Sequence, residues 1–241
     1  MTLEAKFSLE KKALEARFGA IQTASDGGYD RGFAEGKQAE YDRFWNAVQD
    51  YGNRTNYTYA FHYGSWNDVT FKPKYDLRPT GDASRMFESC IITDLKGILE
   101  RQGVVLDLSN VTWAVNTFYQ MRENTRLPEL DMRNLPELSF SLNTALKSID
   151  KLILKDDGTN SLYFTYCYAL EEIRFEGVIG QSLDMKHCSK LSYESLDSII
   201  THLKDLTGQT AQTLTLHNVA GNKLTDAQKA IVTAKNWILV Y

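Results

Sequence analysis

The chain has 241 residues, 43% of them apolar and 24% charged, with a net charge of −4. Fifteen Gly and four Pro exclude a collagen-like or Pro/Gly-rich disordered chain, and 12% aromatic residues supply enough surface for a buried core. The acidic balance argues against nucleic acid, whose phosphates need clustered Lys and Arg. No apolar run reaches the roughly 18 residues of a membrane helix.

The opening MTLEAKFSLEKK places charges where a signal peptide would carry its apolar stretch, so no export signal is expected. Leu3, Phe7, Leu14, Phe18 and Ile21 recur at helical spacing over residues 3–22, opposite a charged face. A stripe this narrow needs a partner surface, and pairing with a second copy of the chain is one solution. Ser25-Asp26-Gly27-Gly28 interrupts the helix. A second helix follows to about Asp50, with Tyr29, Phe33, Tyr41, Phe44, Trp45 and Val48 on its apolar face. Residues 1–50 are therefore expected to be a helical segment for homo-oligomerisation or docking.

Over residues 51–85 the pattern changes. Tyr57, Tyr59, Phe61 and Tyr63 alternate at the period of a strand, and Trp66 follows in a Gly/Asn/Asp-rich stretch. Such an aromatic row either caps an open core or stacks on sugar rings.

From Met86 to Tyr241 the chain repeats a unit, L-x-x-L-x-L. It occurs at Leu127-Leu130-Met132, Ile149-Leu152-Leu154 and Leu170-Ile173-Phe175, whose first positions follow one another in near-equal steps. Leu191 continues the series, and Leu135-Leu138-Phe140 is a near-copy that blurs the register over 127–154. This period predicts an α/β repeat fold, a leucine-rich-repeat solenoid with short strands, whose units bury apolar surface only by stacking. An aromatic residue or Met three positions before a small, sulfur or Met residue recurs at Phe87–Cys90, Phe118–Met121, Phe164–Cys167 and Met185–Cys188.

Helices are expected over Thr93–Gln102, with Leu95, Ile98 and Leu99 inward and Gly103 as stop, and from Ser192 on Leu196, Ile199, Ile200 and Leu203. A third, carrying Ile231 and Ala234, follows the Thr225–Gln228 capping box. Strands are expected at Val104–Leu108, Thr213–Leu216 and Trp237–Tyr241, and residues 225–241 are read as the C-terminal cap.

Cys90, Cys167 and Cys188 form an odd set without a close pair, which favours reduced thiols. His187 and Cys188 together with Cys167 could offer metal ligands. Repeat symmetry accounts for both thiols as buried ladder positions instead. No phosphate-binding, zinc-protease or nucleophile-elbow motif occurs, so neither enzyme activity, cofactor nor metal is expected. Asp156-Asp157-Gly158 reads as a turn. The outward strand positions Asp131, Ile153, Arg174, Asp184 and Thr215 are expected to line one surface that binds protein or glycan.

The run YALEEIRFEG at 168–177, preceded by Phe164-x-x-Cys167, resembles the BspA-like leucine-rich-repeat family, as does Phe87-x-x-Cys90 before Ile92-Thr-Asp-Leu95. GFAEGKQAEYDRFWNAVQDYGNRTNYTYAF at 32–61 and WND-x-x-FKPKYD at 66–76 are similar to segments of leucine-rich-repeat proteins from phages and prophages of gut Firmicutes. The resemblance implies a non-enzymatic structural protein, a virion or tail accessory component made in the bacterial cytoplasm. Its implied partners are other virion or scaffold proteins and a host surface protein or glycan. A bacterial BspA-like adhesin or scaffold is the alternative.

Overall fold

The computed structural model describes residues 60–61 and 76–241. The expected N-terminal helices, including Leu3, Phe7, Leu14, Phe18 and Ile21, lie outside them, as do Tyr57, Tyr59, Tyr63 and Trp66. The described chain is mixed α/β, and every strand pair in it is parallel.

Strands β1 (Gly81–Asp82) and β2 (Val111–Trp113) pair with each other. A first sheet is built around β6 (Ser148–Ile153). Strands β3 (Arg126–Leu127) and β4 (Leu130–Asp131) lie on one side of β6, and β8 (Glu172–Glu176) lies on the other. Leu127 pairs with Ile149, which pairs with Ile173; Leu130 pairs with Leu152, which pairs with Phe175. All of these side chains are buried. Equivalent positions of the L-x-x-L-x-L unit meet between β3/β4 and β6, whereas across β6 and β8 the register is offset, so Ile149, first in its unit, meets Ile173, fourth in the next.

A second sheet takes β5 (Glu137–Ser139), β7 (Ser161–Tyr163), β9 (Leu183–Met185), β10 (Gln212–Leu216) and β11 (Trp237–Val240), in that spatial order. The near-copy Leu135-Leu138-Phe140 belongs here: Leu138 pairs with Leu162 and not with any strand of the first sheet. The register ambiguity over 127–154 arises because both strand types alternate with period two, which does not say which sheet a segment joins. Likewise Leu214 pairs with Leu239, while Ile238 pairs with Thr213 and stays exposed.

Five phenylalanines form a column, two of which, Phe140 and Phe164, directly follow strands β5 and β7. Phe61, Phe87, Phe118, Phe140 and Phe164 are all buried, and successive rings stack with centroids 5.0, 5.8, 5.9 and 5.2 Å apart. Phe61, expected as one of an exposed-or-capping aromatic row, is thus a core rung, and its N–H donates to Met86 O at 2.7 Å. Two positions after each later ring, Ser89, Gln120, Leu142 and Tyr166 take a left-handed backbone conformation, φ 54 to 65°. That conformation costs about 1–2 kcal/mol in a non-glycine residue. Backbone bonds between successive turns offset it at Ser89 N to Tyr119 O, Gln120 N to Ser141 O and Leu142 N to Thr165 O, 2.8 to 3.0 Å.

Four helices complete the described chain. Helix α1 (Leu95–Gln102) starts at Asp94, whose carboxylate accepts from Gly97 N, and stops at Gly103, φ 65°. Helix α2 (Tyr193–His202) covers the outer edge of β8. Ser195 Oγ accepts from Ile173 N at 2.9 Å and Ser198 Oγ accepts from Phe175 N at 3.0 Å, so two edge donors are satisfied without another strand. Helix α3 (Asn218–Gly221) is one short turn. Helix α4 (Asp226–Ala234) opens on the expected capping box between Thr225 and Gln228. Its buried residue is Val232, whereas Ile231 and Ala234 are exposed.

No strand forms over Val104–Leu108, although Val104, Leu106 and Leu108 are buried in alternation. Leu77 N donates to Val105 O and Leu77 O accepts from Asp107 N. The next rung would need an N–H from Pro79, which has none, so the ladder ends after one bridge. Among the described residues no helix is long and apolar enough to cross a membrane.

Candidate functional site

The positions expected to line one surface fall on two sheets. Asp131 lies beside Ile153 on the first sheet, and Ile153 pairs onward with Glu176. A register shift between β6 and β8 leaves Arg174 between the paired positions, exposed. Asp184 and Thr215 pair with each other on the second sheet.

The first-sheet row matches its charges internally. Lys151 Nζ bridges Glu129 at 3.0 Å and Glu176 at 2.9 Å, and Arg133 forks onto Asp131 with a shortest contact of 2.6 Å. The Lys151 ammonium holds the Glu176 carboxyl below its ordinary range, and the Arg133 hydrogen bond does the same for Asp131. Such exposed pairs add little stability, but they leave few unmatched groups for a partner.

The second-sheet row is different in kind. Ser139, Tyr163, Asp184, Thr215 and Val240 stand beside one another in register across the strands of that sheet. Each sits between buried neighbours or at a strand end, as in Leu138-Ser139-Phe140, Leu162-Tyr163-Phe164 and Leu183-Asp184-Met185. The outward direction of the middle residue follows from the pleat alone. Tyr163 is 46% exposed, and its hydroxyl donates to Glu137 Oε2 at 3.3 Å. Asp184 is held by Lys186, through its backbone N at 3.0 Å and its Nζ at 2.8 Å. Burial raises its pKa, and these bonds outweigh that to keep it lowered.

Beside Tyr163 a groove of about 330 Å³ opens, walled by Ala114, Val115, Asn116, Glu137, Leu138, Ser139, Ser141 and Tyr163. Beyond it, Tyr166 and Tyr168 gather around His187, with Tyr166 and His187 ring centroids 4.5 Å apart. Trp113 is a further exposed ring, at the end of β2.

Tyr163, Glu137 and Ser139 were not singled out by the sequence patterns. The signal was present in the shared form Leu-x-Phe at 138–140 and 162–164, which assigns the middle residue to the surface once both are read as strands of one sheet.

Cys167 and Cys188 are fully buried. Burial pushes the Cys167 thiol up to about 12, against a smaller opposing effect of the Asn143 backbone N–H, and it also raises Cys188. Neither thiol is poised as a nucleophile. Among the described residues no group of three or more His, Cys, Asp or Glu side chains is placed to hold a metal ion. Compared with protein-family models, curated proteins and solved structures, the chain matches none.

Proposed function

We propose that this chain is a non-enzymatic binding scaffold, a BspA-like leucine-rich-repeat solenoid that serves as an accessory component of a phage virion or tail. In this reading each repeat contributes one strand to each sheet, and the Phe column is the stacked core between them. Support for the solenoid comes from strand partners that recur at close to one repeat length over much of both sheets, as in Leu130 with Leu152 and Tyr163 with Asp184.

One observation carries the functional part. The second sheet presents hydroxyl, carboxylate and aromatic groups in a fixed row, at positions that the core does not need. A row of this kind suits recognition of a host surface protein or glycan. The phage setting rests on the resemblance of residues 32–61 and 66–76. Residues 1–50 would join copies of the chain or dock it to other virion proteins.

Purification of phage particles from an induced lysogen carrying the gene tests the setting. The reading expects the chain to co-sediment with intact particles and to stay with them through a density gradient. Its absence from particles, with display on the bacterial surface, would move the reading to a cell-surface adhesin.

A further inference from the structure

The groove beside Tyr163 differs from the rest of the face in combining one exposed ring with a polar wall. Its charged and polar side chains are Asn116, Glu137, Ser139, Ser141 and the Tyr163 hydroxyl; no Lys, Arg or His lines it. The Tyr163 ring is clamped at both chain neighbours, since Leu162 and Phe164 are buried, and its hydroxyl is tied to Glu137. The backbone beneath the ring is thus fixed, and the hydroxyl contact favours one placement of the ring against the groove.

Resting on the binding-scaffold reading above, we propose that this groove is a saccharide-binding site for a short neutral sugar. The chemistry selects that class in three ways. An aromatic ring is apolar across its faces and polar only at its hydroxyl, so it accepts the C–H face of a pyranose. The Glu137 carboxylate, the Asn116 amide and the Ser139 and Ser141 hydroxyls supply the acceptors and donors that ring hydroxyls require. A lining without cations, and with one carboxylate, turns away sulfated, phosphorylated or uronic sugars. A peptide would need a deep apolar pocket for an anchoring side chain. Here the apolar lining is confined to Ala114, Val115 and Leu138, of which Ala114 and Leu138 are buried. The volume, about 330 Å³, lies at the small end of ligand clefts.

Saturation-transfer NMR and calorimetric titration of the full chain against glucose, galactose, N-acetylglucosamine, N-acetylgalactosamine and their β-linked disaccharides test the site, with uncharged peptides as a second arm. At least one neutral sugar is expected to bind. Tyr163→Ala should weaken it roughly tenfold or more, while Tyr163→Phe, which keeps the ring, should stay within roughly threefold. Glu137→Gln should weaken binding without changing the thermal melt. Should Tyr163→Ala lower the melt, Ser139→Tyr offers an independent variant that fills the groove from the neighbouring strand and should abolish binding in a folded protein. No binding to any of these sugars, equal binding by Tyr163→Ala or Ser139→Tyr, or capture of peptides instead would overturn the proposal. Co-sedimentation with particles would be unaffected by that result, so the two failures are distinct.

Discussion

The Cys167 thiol donates to the Phe140 carbonyl oxygen at 3.0 Å, across the gap between two neighbouring ring positions. Asn143 does the same one step earlier. Its Nδ2 donates to Phe118 O at 2.8 Å, and its Oδ1 accepts from Met121 N at 2.6 Å. Cys188 repeats the arrangement loosely, 4.0 Å from Phe164 O. The side chain that closes each of these turns thus ties down the carbonyl of the ring before it, and an amide does so with one bond more than a thiol can.

Asn143→Ala should therefore cost about 2–4 kcal/mol, because a buried N–H and a buried carbonyl both lose their partner. Asn143→Cys should recover part of this by restoring a donor to Phe118 O. Urea unfolding of the three proteins gives the ranking, native above Cys above Ala.

All three cysteines are buried, with Cys167 pushed up to about 12 and Cys188 raised as well by the same burial. At pH 8 a thiol-disulfide reagent should leave them unmodified in the native protein over the time in which an exposed thiol reacts. In denaturant it should titrate all three. Fast reaction of any of them under native conditions would contradict this packing.

Two glycines mark where neighbouring backbones touch. A Cβ on Gly180 would lie 2.5 Å from Gly158 O, and one on Gly158 would lie 2.9 Å from Gly180 Cα. Backbone on both sides leaves no flexible side chain to yield. Gly180→Ala should destabilise by about 1–3 kcal/mol. Gly158→Ala should cost more, since its φ of 72° adds left-handed strain of about 1–2 kcal/mol to the clash. Denaturant midpoints of the two variants check the order.

Asp94 caps α1 and also accepts a two-point contact from Arg126, at 3.0 and 2.5 Å. Burial raises its pKa, but the Arg126 hydrogen bond, the Gly97 N–H and the nearby positive charges outweigh that and hold it below the usual 3.8. The folded state therefore holds this proton less tightly than the unfolded chain. The contribution is complete above the unfolded pKa and is lost as pH falls through the lower folded one. Melting temperature should drop on acidification from pH 5 towards pH 2, and Asp94→Asn should flatten part of that slope. An unchanged slope would show that the pair is too well solvated to matter.

The sequence displayed the inward positions well, and for a physical reason. Leu127, Leu130, Met132, Ile149, Leu152 and Leu154 are buried, and their apolar spacing of three and then two residues recurs from one unit to the next, which marks the inward positions without any long-range information. Helices α1 and α2 and the Thr225–Gln228 box were legible because capping and helical spacing are local. What escaped was long-range. Asp131 and Asp184 look alike in pattern, yet lie on different sheets, because pairing partners a whole repeat away decide which sheet a strand joins. The missing strand at Val104–Leu108 depended on Pro79, a residue remote in sequence from the pattern it interrupts.

The middle position of each Leu-x-Phe or Leu-x-Met strand has a further consequence. Leu138, Phe140, Leu162, Phe164, Leu183 and Met185 are buried in the core, while Ser139, Tyr163 and Asp184 between them bury no core side chain and make only local polar contacts besides their backbone pairing. Core and exposed positions are written in alternating letters of the same strands. The outer face can therefore be rewritten letter by letter with the text beneath it unaltered.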